Sequence, residues 1–432
     1  MRARTMCKSG AVGLATGAVV LTLTAPAVAV DTDWGDGAGG GHGFGRMGPP
    51  SARTTSVSPS SGPDFEMPFT CGQTWTGTSR SSHSPSRYTI DWNRPNDLGK
   101  PVVASAPGVV TRARSLTGSY GRHVIVDHKA GYTTLYAHLN RIASTVGQVV
   151  DQGDLIGYVG SSGNSTGSHL HHEERLNGAY FAPYLHRTRF TFGTSPTSQN
   201  CTDRPVAGDW DGNGRSEIGV FRTSARRTTF VKRTAKGNAY VAWGKPGDRA
   251  VVGDFDGDNV AQTGVRQQGA ANWYLRSRSG AIAKVSNVGA TADYPITGDW
   301  DGNGRDNLGY YRFSSRTFYL RSDSARLTKV VLGVTGEQPV TGDWNRDGRT
   351  DVGTYNELTG RWTLRVPSGT GFTLRRVTWG RGGMPVTGDW NGDKITDLAV
   401  WKPSSATFYQ RYPTAARATT FQNKALVFGN RR

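Results

Sequence analysis

Residues 295–312 read PITGDWDGNGRDNLGYYR, and four other stretches repeat the phrase with small changes. These begin at Pro205, Ala250, Pro339 and Pro385. The first aspartates of the five units (Asp209, Asp254, Asp299, Asp343, Asp389) lie 44 to 46 residues apart. Behind each comes an aromatic run such as TFYLR, then a run closing on VAWG, VLG, VTWG or VFG. Four short strands in a repeat of about 45 residues are the sequence form of a propeller blade. Residues 205–432 therefore predict a five-bladed β-propeller.

Each phrase also carries an acidic loop. In the first repeat Asp209, Asp211, Asn213 and Glu217 take positions one, three, five and nine, with Gly214 at six and the backbone carbonyl of Arg215 at seven. Alternate oxygens around a sharp turn are how a short loop wraps Ca²⁺. The third repeat offers Asp299, Asp301, Asn303, Asn307 and the Arg305 carbonyl. The fourth offers Asp343, Asn345, Asp347, Asp351 and the Arg349 carbonyl, and the fifth Asp389, Asn391, Asp393, Asp397 and that of Ile395. The second has Asp254, Asp256 and Asp258 but ends in Gln262 without the turn glycine, so it is expected to bind most weakly. In the fifth, Lys394 replaces that glycine. Asp, Asn and Gly are ordinary turn residues, but five copies in register point to several structural calcium ions. The order Asp-Trp followed by an acidic loop excludes the Trp-Asp propeller repeats. These units resemble the FG-GAP/VCBS family of calcium-loop propeller repeats. The resemblance implies an adhesive or wall-associated part with a carbohydrate or protein ligand.

The chain has 432 residues, too long for one ordinary core. A hydrophobic share of 35%, 58 glycines and a mean hydropathy of −0.51 describe a soluble, turn-rich, all-β protein. Residues 1–29 have a basic start, an apolar stretch and the small residues Ala27-Val28-Ala29, the pattern of a secretory signal peptide. Export removes Cys7 and leaves Cys71 and Cys201, which in an oxidising compartment suggest one disulfide closing a domain at 71–201. Residues 30–70 are read as a Gly/Ser/Pro-rich linker or pro-segment. The formal charge of +18 suits an anionic wall polymer once the protein is outside the cell. The basic residues are scattered rather than gathered in a tail, so neither nucleic acid nor a membrane is expected as partner, and the chain is read as a monomer.

Between the cysteines, short apolar runs alternate with glycine turns, and GSHLHHEE at 167–174 holds three of the nine histidines. Alternate strand residues share a face, so His169 and His171 point one way and His172 the other. Two imidazoles on one face can share a metal, or one can bind while the other moves a proton. A catalytic zinc site keeps three protein ligands and one open position, and His83, Asp91 and His138 are the partners available upstream.

SSHSPSRYTIDWN, TTLYAHLN and GYVGSSGNSTGSHLHHE, in that order, resemble the lysostaphin-like (LytM-type, β-lytic) zinc metalloendopeptidases. The resemblance implies a compact antiparallel β domain in which His83, Asp91 and His171 bind one Zn²⁺. It implies His169 as general base, and His138 as the group that orients the attacking water or stabilises the oxyanion. His83 and Asp91 are eight residues apart, where the short form of the motif has four, and His172 stands where an aromatic residue is usual. Glu173, at strand spacing from His171, is either a hydrogen-bond partner of that ring or an exposed ion-pair residue. His123, His128 and His186 match no ligand position. The resulting expectation is a secreted zinc endopeptidase cutting peptide cross-links of peptidoglycan. The alternatives are a non-catalytic LytM-like wall-binding or adhesion protein, and a peptidase acting on Gly-rich proteins.

Overall fold

β-branched and aromatic residues in runs of two to eight, broken by glycines, build sheets joined by tight turns and no helix among the described residues. The computed structural model describes residues 62–430 apart from 226, 268 and 414–419. The signal-peptide reading of 1–29 and the linker reading of 30–61 lie outside the described residues.

The first part is an eight-stranded antiparallel sheet. Its path runs Thr76–Thr78, Ile90–Asn93, Leu170–Leu176, Tyr132–Ala137, Arg122–Asp127, Gly108–Ser115 and Val149–Val150, and Ala179–Tyr180 pairs with the end of Leu170–Leu176. A three-stranded sheet of Pro101–Val103, Leu155–Tyr158 and Arg141–Ile142 belongs to the same part. Its core is formed by Phe69, Trp75, Trp92, Tyr136, Leu139 and Ile156 among others, all fully buried.

Residues 62–70 correct the sequence reading, which gave them to the linker. Phe65, Met67 and Phe69 are buried, and Phe69 stacks on Trp75 with ring centroids 3.8 Å apart. Three apolar side chains at alternate positions were enough to dock a stretch whose composition otherwise reads as loop. Cys71 and Cys201 form the expected disulfide, closing a segment with a sequence separation of 130.

One face of Leu170–Leu176 carries His171 and Glu173, and the other carries Leu170, His172 and Glu174, all buried. Below the sheet His172 lies against Tyr136 with ring centroids 5.2 Å apart, and its Nε2 is 3.3 Å from the Ser105 hydroxyl. Glu174 accepts one hydrogen bond there, from the Tyr184 amide at 3.1 Å, and its Oε1 has no partner. Burial pushes its carboxyl up to about 8. The folded form therefore keeps a proton that the unfolded chain loses near pH 4.5, and stability falls as pH rises between those values. Glu174→Gln is expected to unfold at higher denaturant than wild type at pH 8 and at the same denaturant at pH 4.

The repeats form five four-stranded antiparallel sheets, each with its strands in chain order. The third, for example, is Tyr294–Gly298, Asn307–Arg312, Thr317–Arg321 and Leu327–Val331. Neighbouring sheets are joined by one recurring bond. Ala261 N donates to Asp209 O, Asp306 N to Asp254 O, Thr350 N to Asp299 O and Thr396 N to Asp343 O, each at 2.7 Å. Ser216 N donates to Asp389 O at 2.7 Å, which returns the series from the fifth sheet to the first. The first strands of the sheets line a cavity of about 390 Å³.

The two parts meet through charge. Asp154, 1% exposed, pairs with Arg204 and Arg249 from the first strands of the first two sheets. Arg249 in turn lies 4.4 Å from the ring centroid of Tyr294 in the third. Arg141 adds a hydrogen bond to the Gly269 carbonyl at 3.1 Å.

Candidate metal centre

Register brings the key residues together. His171 lies opposite Asp91 on one neighbouring strand and opposite Ala137, next to His138, on the other. Nδ1 of His171 is 3.0 Å from Asp91 Oδ1, and Nε2 of His83 is 2.9 Å from Asp91 Oδ2. Ligand atoms of His83, Asp91 and His171 lie within 4.8 Å of one another. The eight-residue spacing of His83 and Asp91 is spanned by a loop that folds back, with His83 N bonded to Arg80 O and Thr89 N to Ser86 O.

Hydrogen bonds on the far side of each ring decide which nitrogen faces Asp91. Thr89 Oγ1 donates to Ser86 O and Ser79 Oγ donates to Arg87 O, so both hydroxyls accept from His83 Nδ1, at 2.9 and 3.2 Å. That leaves a lone pair on His83 Nε2, pointing at a carboxylate oxygen. His171 Nε2 faces Glu173 Oε1 at 3.0 Å, with Asp91 on the other side of the ring. Two acceptors at hydrogen-bond distance repel unless a cation sits between them. Without one, His171 must hold that charge as a proton. Burial lowers its pKa, but hydrogen bonds to Asp91 and Glu173 outweigh burial and raise it to about 9. For Asp91 burial raises the pKa, and the His171 imidazolium beside it does most to outweigh burial and hold the carboxyl well below the usual range. Two imidazole nitrogens and one carboxylate with this demand for positive charge fit a divalent metal of the zinc class.

The open side is bounded by the other two histidines. The His138 ring centroid is 4.9 Å from that of His169 and 5.7 Å from that of His171. His138 Nδ1 donates to Ser162 O at 2.8 Å, and His169 Nδ1 to Gly167 O at 2.9 Å, so each has Nε2 free to accept a proton. Burial, chiefly, lowers His138 to about 4, which keeps it neutral. Its backbone φ of 60° is in the left-handed region that glycine favours, a local strain placed at the site.

Glu173 is 1% exposed, which overturns the exposed ion-pair reading and leaves it beside the His171 ring, where its ion pair with Arg175 is buried too. It takes the His171 ring on Oε1 and the Arg175 guanidinium on Oε2, Nε at 2.7 Å, while Tyr120 donates to Oε1 at 2.8 Å. Tyr120 and Arg175 were not foreseen. Arg175 follows Glu173 at the same two-residue spacing that links Glu173 to His171, so that step could have been read from the strand. Tyr120, from a turn, left no such signal. His123, His128 and His186 are not members of the His83–Asp91–His171 cluster, and His123 packs beside Tyr120 with ring centroids 5.7 Å apart. His128 bonds Thr134 and Pro107, and His186 pairs with Glu66.

The acidic loops share one frame. Asp209 accepts the amides of Gly212, Asn213 and Gly214, and Asp254, Asp299, Asp343 and Asp389 each cap their loops likewise. The amides of Arg215, Arg305, Arg349 and Ile395 bond the position-five side chain. Position six is left-handed in all five, including Asn259 (φ 61°) and Lys394 (φ 67°), so losing the glycine there has not changed the turn. Asp209, Asp211 and Glu217 bring carboxylate oxygens within 4.8 Å of one another, as do Asp254, Asp256 and Asp258.

The His83–Asp91–His171 cluster, with its carboxylate half-buried, faces two proton-accepting histidines, an arrangement that suits a metal-bound water. Residues 86–183 match Peptidase family M23, so the chain carries an M23 peptidase domain of the LytM type. The match begins three residues after His83, whose place in the cluster rests on geometry. The chain is 48% identical over 89 residues to the DD-carboxypeptidase/endopeptidase Mpg of Neisseria meningitidis, covering 21% of this chain and 20% of that protein. It is 32% identical over 125 residues to the peptidoglycan DD-endopeptidase ShyA of Vibrio cholerae, covering 29% and 22%. A zinc-containing peptidase from Vibrio cholerae aligns in structure with a TM-score of 0.25 and 24% identity, covering 28% of this chain and 41% of that one. The chain thus spans about a fifth of the length of the curated relatives it matches.

Proposed function

We propose that the protein is a secreted zinc metalloendopeptidase that cuts peptide cross-links in bacterial peptidoglycan. The observation that carries this is Asp91 bracketed by two imidazoles whose remaining nitrogens already donate elsewhere, opposite His138 and His169. His83 Nε2, Asp91 and His171 Nδ1 would hold the ion. A bound Zn²⁺ supplies Lewis acidity, polarising the scissile carbonyl and acidifying water. His169 Nε2 takes the proton from the attacking water and passes it to the leaving amine. Neutral His138 offers Nε2 as an acceptor, which suits orienting that water. The same ring can donate to an oxyanion only once protonated. Relatives named as peptidoglycan DD-endopeptidases support the substrate class and favour a bond between D-residues. The Cys71–Cys201 disulfide suits an oxidising, extracytoplasmic setting.

The repeats are read as a five-bladed, calcium-stabilised propeller that presents the peptidase to the wall or to a partner. The closed series of inter-sheet bonds supports the propeller, and the converging carboxylates of the first loop support calcium. In this reading the peptidase unit runs from about residue 62 to Cys201 and the propeller occupies 205–432.

The test is muropeptide mass spectrometry of purified peptidoglycan treated with the mature protein or with His171→Ala. New free amines with wild type and none with the variant are expected, and their identity names the bond. No new ends from wild type on several wall chemistries, with no zinc bound, would leave a binding protein instead.

A further inference from the structure

The five acidic loops look alike in sequence, but their position-nine residues do not present the same atoms. In four loops one atom of this residue accepts the backbone N–H of the second loop residue. The bonds are Trp210 N to Glu217 Oε2 at 2.9 Å, Phe255 N to Gln262 Oε1 at 2.6 Å, Trp344 N to Asp351 Oδ2 at 3.3 Å and Trp390 N to Asp397 Oδ2 at 3.1 Å. That bond pins the head group and turns its other terminal atom into the loop. Where the residue is an acid, the inward atom is an oxygen. In the second loop it is an amide nitrogen, and the orientation is fixed because only Oε1 can accept from Phe255.

Gln262 Nε2 donates to Asp256 Oδ1 at 2.7 Å, to the Val260 carbonyl at 2.7 Å and to Asp258 Oδ1 at 3.2 Å. These are the oxygens at positions three, seven and five, the ones a wrapped cation would draw on. A donor already stands in the cation's place, and turning the amide over would set oxygen against carboxylate and N–H against N–H. Three converging carboxylates make the second loop look like a metal site, yet its oxygens are already satisfied.

The third loop is the opposite case. Asn307 is 6% exposed and its Oδ1 is buried with no hydrogen-bond partner, as is Oδ1 of Asp301 at position three. The Asn307 amide nitrogen is drawn away by Asp323 Oδ1 at 2.6 Å, and Asp323 Oδ2 holds the Asn303 amide nitrogen at 2.8 Å. Asp323 follows the third strand of its sheet at the place where Pro367 and Pro413 offer only a carbonyl to the fourth and fifth loops, at 3.4 and 3.5 Å. Buried oxygens without a donor call for an ion or water, and here an added carboxylate stands beside them.

We propose that the loops differ in kind: the second holds no cation because the Gln262 amide takes its place, and the third is a divalent-cation site completed by Asp323 from outside the loop. This rests on the calcium reading of the repeats. The experiment is native mass spectrometry of the full chain equilibrated with calcium alone, for wild type, Gln262→Glu and Asp323→Ala. Gln262→Glu is expected to carry one calcium more than wild type. Asp323→Ala, a change at an exposed side chain, is expected to bind one of its ions at least tenfold more weakly. Five ions on wild type, or an unchanged count in folded Gln262→Glu, would overturn the assignment of the second loop. Unchanged binding in Asp323→Ala would overturn that of the third. No calcium on wild type at any concentration would remove the calcium reading itself, a different result from either.

Discussion

Asp91→Ala is expected to lose both the metal and the activity, whereas His169→Ala is expected to keep the metal and lose turnover by about 10²–10⁴-fold. The difference follows from where each side chain sits. Asp91 is in contact with both His83 Nε2 and His171 Nδ1, and without it two lone pairs face each other with no anion to share a cation. Its loss should lower kcat/KM by at least roughly a thousandfold, or about 4 kcal/mol of transition-state stabilisation. His169 Nε2 is 3.7 Å from Asp91 Oδ1 and its other nitrogen is held by Gly167 O, so it borders the cluster without completing it. Glu173→Gln falls between the two. It removes the charge that orients His171 and should weaken metal binding by about 10–100-fold. Metal content by mass spectrometry, measured beside kcat, separates the three. Stoichiometric zinc on Asp91→Ala would refute the ligand assignment.

Asp154→Ala is expected to destabilise the folded chain by about 3–5 kcal/mol, the usual result of removing one member of a buried ion pair. Arg204 and Arg249 converge on this one carboxylate, and alanine would leave two guanidinium groups facing each other in a buried place. Burial raises the Asp154 pKa, but the two arginines outweigh it and hold the carboxyl below its ordinary value. Its contribution is therefore complete above the usual carboxylate range and is lost as pH falls through the lowered value. Because the arginines belong to the first and second repeats, the variant should also split unfolding into two transitions, one for each part. Equilibrium denaturation at pH 7 followed by tryptophan fluorescence and far-ultraviolet circular dichroism checks both. A single transition with an unchanged midpoint would mean that the two parts are not coupled through this residue.

The candidate metal cluster was legible in part because some of its motif is local. The alternation in HLHHEE placed His171 and Glu173 on one face and His172 on the other, which the sheet repeats. The place of His83 was the least legible, since eight residues of loop carry no periodicity. Its position depends on the Thr89 and Ser79 hydroxyls that grip the ring from behind. The linker reading of 62–70 failed for a related reason. Composition described the stretch correctly as poor in regular structure, but whether Phe65 and Phe69 find a core depends on strands far along the chain.

What the sequence determined by itself is whatever repeats with the period of the backbone, strands of alternating faces and five acidic loops in register, together with the pair Cys71 and Cys201. Chain geometry dictates these within a few residues. Tertiary structure alone decided which atoms oppose one another. Asp91 meets His171 only because two strands pair in one register, Asp154 meets Arg204 and Arg249 only where two parts of the chain touch, and Gln262 presents nitrogen rather than oxygen only because Phe255 claims its carbonyl. Hydrogen bonds and ion pairs act over about 3 Å, so partners far apart in the chain are chosen by packing and register, which no local pattern encodes.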